Sequence, residues 1–502
     1  MIENIKNDRE LHSFLWDRAC TLRKKMESND YKNYLFPLIF YKYICDTYDG
    51  EYENEMNRSG NTTLAEAPAN HRFQVPSEFH WKNLRNLSKD LGAAISRNLI
   101  GIQKANLNTT FSANGEGILD GIFGDANWGN KQLLPDYLLK ILIEEFSKKN
   151  LSLENIGEDA LGNAYEYLLG QFADDAGQGA QEFFTNRTLV TLMVNILGIH
   201  EGDSIYDPTC GTAGMLIMSK KYADSHDVDY RTLSFYGQEL YQLSSCISRM
   251  NMLVHDIEDF NIKWGDTISN PAFTAGDSTL KTFDIVLANP PYSIKINEKE
   301  RKRFEKDPYK RNILGVPKSN MDFVFVQHIL KSMDPETGRA AILLPHGLLS
   351  SLDEIPLREK LISSDLLECV IGISKGLFFN SPMEACVFIC RSKKSPERKG
   401  KIKFIEASKL SVKNGNHNDL SPENIEQISK LYFDDTDVEG YSKTVTIEEL
   451  LKDRKRSLTV DGQISRLKYP DIEESKDLKD SLFQIKIDYH ECLELAIREV
   501  DQ

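Results

Sequence analysis

The stretch Phe283-Asp284-Ile285-Val286-Leu287-Ala288-Asn289-Pro290-Pro291-Tyr292 decides the fold. Its apolar first part reads as a buried strand, because a short apolar run closed by a Pro-Pro turn suits a parallel sheet. The strand ends in an amide side chain, a rigid turn and an aromatic ring. That is a compact kit for holding a planar amine. The lone pair of an exocyclic base nitrogen is delocalised into its ring, so the nitrogen is a poor nucleophile. The Asn289 oxygen and the Pro290 carbonyl can accept both N–H hydrogens and draw the amine toward a tetrahedral shape. Pro291 completes the rigid turn, and Tyr292 can stack on a base that has left its helix. A plain strand and turn would look the same in isolation, so the segments upstream matter.

Upstream, Ser204-Ile205-Tyr206-Asp207 reads as a strand, followed by the small-residue loop Pro208-Thr209-Cys210-Gly211-Thr212-Ala213-Gly214 and the apolar helix start Met215-Leu216-Ile217-Met218. Strand, loop and helix in that order bind nucleotides in doubly wound folds. The loop lacks the dinucleotide pattern G-x-G-x-x-G and the lysine of a phosphate-binding loop. Asp207 would repel a pyrophosphate but suits a cofactor with an amino group and a sulfonium. Gly211 and Gly214 let such a cofactor lie close to the backbone. After a second strand, Phe235-Tyr236-Gly237-Gln238-Glu239, the Glu239 carboxylate can accept both ribose hydroxyls. A third strand, Ile262-Lys263-Trp264, leads to Gly265-Asp266, an acid for the adenine amino group. Each acid alone reads as a solvated loop residue or helix cap. Three of them closing successive strands ahead of Asn-Pro-Pro-Tyr point to S-adenosylmethionine as cofactor.

These residues resemble the amino-methylating DNA methyltransferases of the N6-adenine class, and specifically the modification (M) subunit of type I restriction–modification systems. The resemblance takes in Trp16-Asp17-Arg18-Ala19 and the stretch from Tyr31-Lys32 through Leu38-Ile39-Phe40-Tyr41-Lys42-Tyr43-Ile44, similar to that family's helical N-terminal domain. Gln181-Glu182-Phe183-Phe184-Thr185-Asn186-Arg187 resembles the cofactor-binding motif that precedes the glycine loop. Family members usually have Tyr and Pro where this chain has Phe184 and Asn186. The resemblance implies that Glu182, Phe183, Phe184, Thr185, Asn186 and Arg187 join Asp207, Gly211, Thr212, Ala213, Gly214, Glu239 and Asp266 at the cofactor. Ala341-Ile342-Leu343-Leu344-Pro345 is also similar, as is the region from Leu377-Phe378-Phe379 to Glu384-Ala385-Cys386. The latter implies Phe378 as a second aromatic, with Tyr292, against the target base.

The expected fold is α/β, a class I S-adenosylmethionine-dependent methyltransferase with a Rossmann-like, mostly parallel sheet, a helical N-terminal domain and a helical C-terminal tail. Strands alternate with helices from about residue 200 to 392. Residues 1–150 carry helical stripes such as Leu11, Phe14, Leu15, Ala19 and Leu22, with Pro37 placed in a helix's first turn. Residues 51–76 read as a long loop and 170–181 as a mobile loop beside the cofactor. The expected domains are thus 1–150, 151–392 and 393–502, the last with helices for subunit docking at residues 425–431 and 489–500.

The 502 residues include 61 Lys and Arg against 76 Asp and Glu, a formal charge of −15. That balance opposes an unaided grip on DNA, which requires neutralised phosphates. The basic material is local: Lys299, Arg301, Lys302, Arg303, Lys306, Lys310 and Arg311 follow the catalytic turn and are read as facing DNA. No room remains for a recognition domain after the sheet, so sequence reading falls to another subunit. The expected partners are a DNA-sequence specificity subunit, a second copy of this chain and double-stranded DNA, with a restriction (nuclease/translocase) subunit as an optional addition. No signal peptide or membrane span is legible, and the 8 cysteines show no metal spacing, so a cytoplasmic protein without a metal is expected. Two rivals share the motif. A protein glutamine N5-methyltransferase faces the same amide nitrogen problem, and a non-catalytic scaffold could retain the fold.

Overall fold

A computed structural model describes residues 7–26, 30–107, 119–156, 160–175, 185–377, 384–414 and 417–465. The four strands read from the sequence are β1 (Ser204–Asp207), β2 (Ser234–Glu239), β3 (Phe260–Trp264) and β4 (Ile285–Ala288). They continue with β5 (Arg339–Pro345), β6 (Leu367–Ile373), β7 (Ala385–Arg391) and β8 (Lys401–Ala407). A small ribbon pairs β9 (Val412–Asn414) with β10 (His417–Asp419), and β11 (Ser442–Thr446) returns to the main sheet. Its order is β11-β8-β6-β7-β5-β4-β1-β2-β3. β3, β2, β1, β4 and β5 are parallel neighbours, the arrangement of a doubly wound nucleotide-binding sheet. β7 is antiparallel to β5 and β6, and β11 to β8. The sheet is therefore mostly parallel, as expected.

Side chains alternate faces along each strand, and both faces are covered. Ile205, Ile285 and Leu287 share a core with the helices Arg187–Leu197, Gly214–Ser225 and Pro422–Phe433. Tyr206, Val286 and Ala288 share the opposite core with the helices Asp322–Ser332 and Ile355–Ser363. This double cover explains why β4, β5 and β6 are buried end to end and mostly apolar, with Arg339 and Glu368 as buried charged exceptions.

The sheet does not stop at residue 392. β8 and β11 extend it, and their pattern is masked by lysines. Lys401 and Lys403 interleave with Ile402, Phe404 and Ile405, yet Lys403 is only 5 % exposed, its ammonium on the Asp434 carbonyl. β11 is an edge strand with one deeply buried apolar residue, Val445, and such strands carry little apolar signal.

The helical core likewise continues past residue 150. The helices Asp8–Arg23, Lys32–Ser59, Leu91–Ala105 and Asp136–Phe146 pack with Leu161, Leu168 and Phe172 of the helix Ala160–Asp175. Ile247, Met250 and Leu253, on the helix Gln242–Val254 that follows β2, complete that core. Residues 51–59 belong to a helix rather than a loop, which ends at Gly60 with a left-handed φ of 63°. Pro37 accordingly lies beyond the first turn. Residues 170–175 close a helix, and the rest of the expected mobile loop lies outside the described residues, as does the C-terminal helix at 489–500.

Candidate active site

All four parallel strands β1 to β4 present their C-terminal ends at one edge, where a doubly wound sheet opens its crevice. β4 delivers Asn289 there. Its amide is held at both ends: Nδ2 donates to Thr185 Oγ1 at 2.9 Å, and the Tyr292 hydroxyl donates to Oδ1 at 2.6 Å. Tyr292 therefore does more than offer a ring. Burial raises its hydroxyl well above the usual tyrosine range, so it stays protonated and can donate. Pro290 is buried beneath the turn and Pro291 is half-buried.

β1 and β2 deliver two buried acids. Asp207 is 2 % exposed, and its Oδ1 accepts the Thr209 N–H at 3.0 Å. Burial pushes its carboxyl up to about 7, with the Glu239 carboxylate adding to the rise. Glu239 accepts the Gly211 N–H at 2.9 Å on one oxygen and the Tyr241 N–H at 2.8 Å on the other. A carboxylate has lone pairs beyond those two bonds, so ribose hydroxyls remain within its capacity. Gly211 and Ala213 both have left-handed backbone, at φ 51° and 65°.

Gly214 meets a different need from the one inferred above. A Cβ there would lie 1.8 Å from Arg187 Nη1, so the missing side chain makes room for a guanidinium. Arg187 forms an ion pair with Glu166 and donates to the Thr185 carbonyl at 3.2 Å. Burial would raise Glu166; Arg187, with His255 and Asn251, holds it below the usual carboxylate range. Asn251 bridges Glu166 and the Thr212 carbonyl at 2.7 and 2.9 Å. This network ties the helical region to the glycine loop and to Thr185.

Asn186 shows what replaces the family's usual proline. Its φ of −53° lies within a proline's range, and its side chain caps the helix Arg187–Leu197 by accepting the Thr188 N–H at 3.0 Å. Its Nδ2 donates to the Asn418 carbonyl at 3.0 Å and to Asp419 at 2.7 Å. Hydrogen bonds thus hold the shape that a ring would hold covalently. Glu182, Phe183, Phe184 and Phe378 lie outside the described residues.

Asp266 is exposed and accepts the N–H groups of Ile268 and Ser269, the act of a turn cap. It also borders a cavity of about 320 Å³ with Leu240, Ile268, Pro291, Ile294 and Phe304. The slot also carries Glu300 and the Asp307–Arg311 pair, but its lining is largely apolar and touches the catalytic turn, which suits a flat ring bearing an amino group beside Asp266. Together with the acids on β1 and β2, it fits the nucleoside of S-adenosylmethionine.

The basic stretch is corrected in part. Arg311 is 3 % exposed and paired with Asp307, and it donates to the carbonyls of Thr267 and Ile268. Arg303 is committed to Ser269, and Lys302 pairs with Glu298. Arg311 and Arg303 thereby fix the turn that carries Asp266, while the Lys302 pair stays on its own exposed helix. Lys299, Arg301, Lys306 and Lys310 are exposed. Gln238 pins the same segment through Asn270 and Ala272, each at 3.0 Å. Sequence reading missed Glu166, Gln238 and Asn251. Their partners lie tens of residues away in sequence, so no local pattern marks them. Among the described residues no acidic, His or Cys cluster suits a metal, and no helix is long and apolar enough to cross a membrane.

A mostly parallel sheet with acids closing successive strands and Asn-Pro-Pro-Tyr closing β4 defines a class I S-adenosylmethionine-dependent methyltransferase fold. The chain belongs to the N-6 DNA methylase family, whose model matches residues 156–469; a model of the HsdM N-terminal domain matches residues 11–146. It is similar to the type I restriction enzyme MjaIX methylase subunit of Methanocaldococcus jannaschii, 26% identical over 88% of this chain and 82% of that one. The MpnII methylase subunit of Mycoplasma pneumoniae is 25% identical over 97% of this chain and 95% of its own. Among solved structures, the type I restriction-modification methyltransferase subunit from Streptococcus thermophilus has a TM-score of 0.77 at 26% identity, covering 92% of this chain and 100% of that one.

Proposed function

We infer that the chain is the methyltransferase subunit of a type I restriction–modification complex and methylates N6 of a flipped adenine in DNA with S-adenosylmethionine. The observation that carries this is the Asn289 amide, fixed between Thr185 and Tyr292 at the end of β4 beside the strand-end acids. Asn289 Oδ1 accepts one hydrogen of the target amine and the Pro290 carbonyl accepts the other. Oδ1 has two lone pairs, so the Tyr292 hydroxyl need not leave for the amine to bind. The ring of Tyr292, joined by Phe378, covers the base face. The cofactor supplies a methyl group made electrophilic by its sulfonium. Asp207 attracts a cationic group, Glu239 holds the ribose, and Asp266 reads the amino group of the cofactor's adenine.

Family membership and the helical region at residues 8–175 support DNA over a glutamine amide as substrate. A specificity subunit supplies the base contacts, and a two-part target calls for two copies of this chain per specificity chain. Transfer of a tritiated methyl group to DNA, with and without the specificity subunit, tests the reading. Methylation of a peptide glutamine in place of DNA would overturn it.

A further inference from the structure

Immediately after Tyr292 the chain turns through Ser293, whose φ of 55° is left-handed and disfavoured for any residue with a Cβ. Strain of this kind persists only where the surroundings impose it. Here they do. The Ser293 N–H donates to Asp322 Oδ1 at 2.7 Å, and Asp322 is 2 % exposed in the first turn of the helix Asp322–Ser332. On either side of that helix start the outgoing chain is stitched down: the Met321 N–H donates to the Ile294 carbonyl at 2.8 Å, and Lys295 bridges Asn320. Glu354, 1 % exposed, backs this ribbon by accepting the Ser319 hydroxyl at 2.9 Å. Asp322 also lies close enough to Tyr292 to help raise its hydroxyl. Ser293, Asp322, Pro345, His346 and Glu354 border a single cavity of about 680 Å³ beside the turn.

We propose that Asp322 is a positioning residue for methyl transfer: by capturing the Ser293 N–H it holds the left-handed corner that aims the Tyr292 ring and hydroxyl at Asn289. The proposal rests on the methyltransferase reading of this site. The carboxylate compensates the corner's strain locally, so removing it frees Ser293 to relax toward negative φ and carries Tyr292 out of register. Neither Asp207 nor Glu239 bonds to this corner, so their own contacts with the cofactor do not depend on it.

The test uses the full chain with its specificity subunit. Asp322→Ala is expected to lower kcat for DNA methylation by roughly 10-fold, the size of losing a left-handed preference. Asp322→Asn is expected to restore most of that loss, since an amide oxygen also accepts the N–H. Ser293→Gly in the Asp322→Ala background is expected to restore it too, because glycine adopts positive φ without strain. Wild-type kcat in Asp322→Ala, or no rescue by Ser293→Gly in a folded double variant, overturns the proposal. Amide exchange at residues 292–296 in the free protein gives a second readout that needs no substrate. It should quicken in Asp322→Ala and stay at the wild-type rate in Asp322→Asn; unchanged exchange in Asp322→Ala overturns the corner's dependence on Asp322. If the wild type fails to methylate DNA while exchange behaves as stated, the functional reading fails and the corner stands.

Discussion

Because Tyr292 donates to Asn289 and Thr185 receives from it, a change at either hydroxyl acts through the amide. Asn289→Ala should abolish methylation and leave cofactor binding intact, measured by tritium transfer beside calorimetry; normal methylation would sink the mechanism. Tyr292→Phe keeps the ring and loses one hydrogen bond, worth about 1 kcal/mol, so its rate should fall by less than about 10-fold. Tyr292→Ala loses ring and bond and should fall much further. Asp207 yields a pH prediction. Its folded carboxyl, near 7, lies above the unfolded value, so the folded protein holds the extra proton. Its contribution to stability is full below about pH 4 and is lost as pH rises through 7. A cationic ligand reverses that preference. Cofactor affinity should therefore strengthen as pH climbs through about 7, with proton release on binding. Calorimetry in buffers of different ionisation heat would detect the protons, and flat affinity from about pH 6 to 8 would reject Asp207 as the cation's partner.

The strands that carry the site were legible because buried parallel strands are apolar runs closed by turn residues, and β1 and β4 end where the sequence indicated. What was not legible is how neighbouring elements hold those ends. No local pattern shows that Gly214 makes room for Arg187, or that Arg311 binds the carbonyls of a turn more than 40 residues away. Lysine in β8 hid a strand for a similar reason: its ammonium reaches a carbonyl that only the fold brings near. The clearest element-scale tests are therefore the long-range ones. Asn186→Ala removes a helix cap and both bonds to the segment at β10, and should cost about 1–2 kcal/mol in denaturant unfolding. Loss of less than a few tenths of a kcal/mol would mean that the cap is idle. Gly214→Ala forces its methyl into the Arg187 guanidinium, and should cost about 1–3 kcal/mol while loosening Thr185 and, through it, Asn289. An Arg187→Ala change in the same chain should relieve the clash, so the double variant should be more stable than the sum of its parts implies.

At the scale of the molecule, charge weighs against an unaided grip on DNA. A formal charge of −15 opposes a polyanion, and within the basic stretch beside the catalytic turn Arg311 is buried against Asp307 while Arg303 is engaged with Ser269 at the surface. The isolated chain should bind duplex DNA weakly and without sequence preference. Extruding an adenine costs a few kcal/mol, and non-specific contacts that fade with salt cannot offset it. If a specificity subunit supplies the base contacts, as proposed above, sequence-dependent methylation should appear only when it is added. The part of this chain that docks it can be tested without disturbing the site. Val460 packs into the core on one face of the sheet, so a cut must fall after the helix Val460–Ile464 to spare every described element. The chain ending at Ile464 should unfold like the full chain and bind cofactor with the same affinity, yet fail to co-purify with the specificity subunit. Co-purification of that shortened chain at full yield would move the docking surface onto the described body. Efficient sequence-specific methylation by the full chain alone would remove the need for a docking surface altogether.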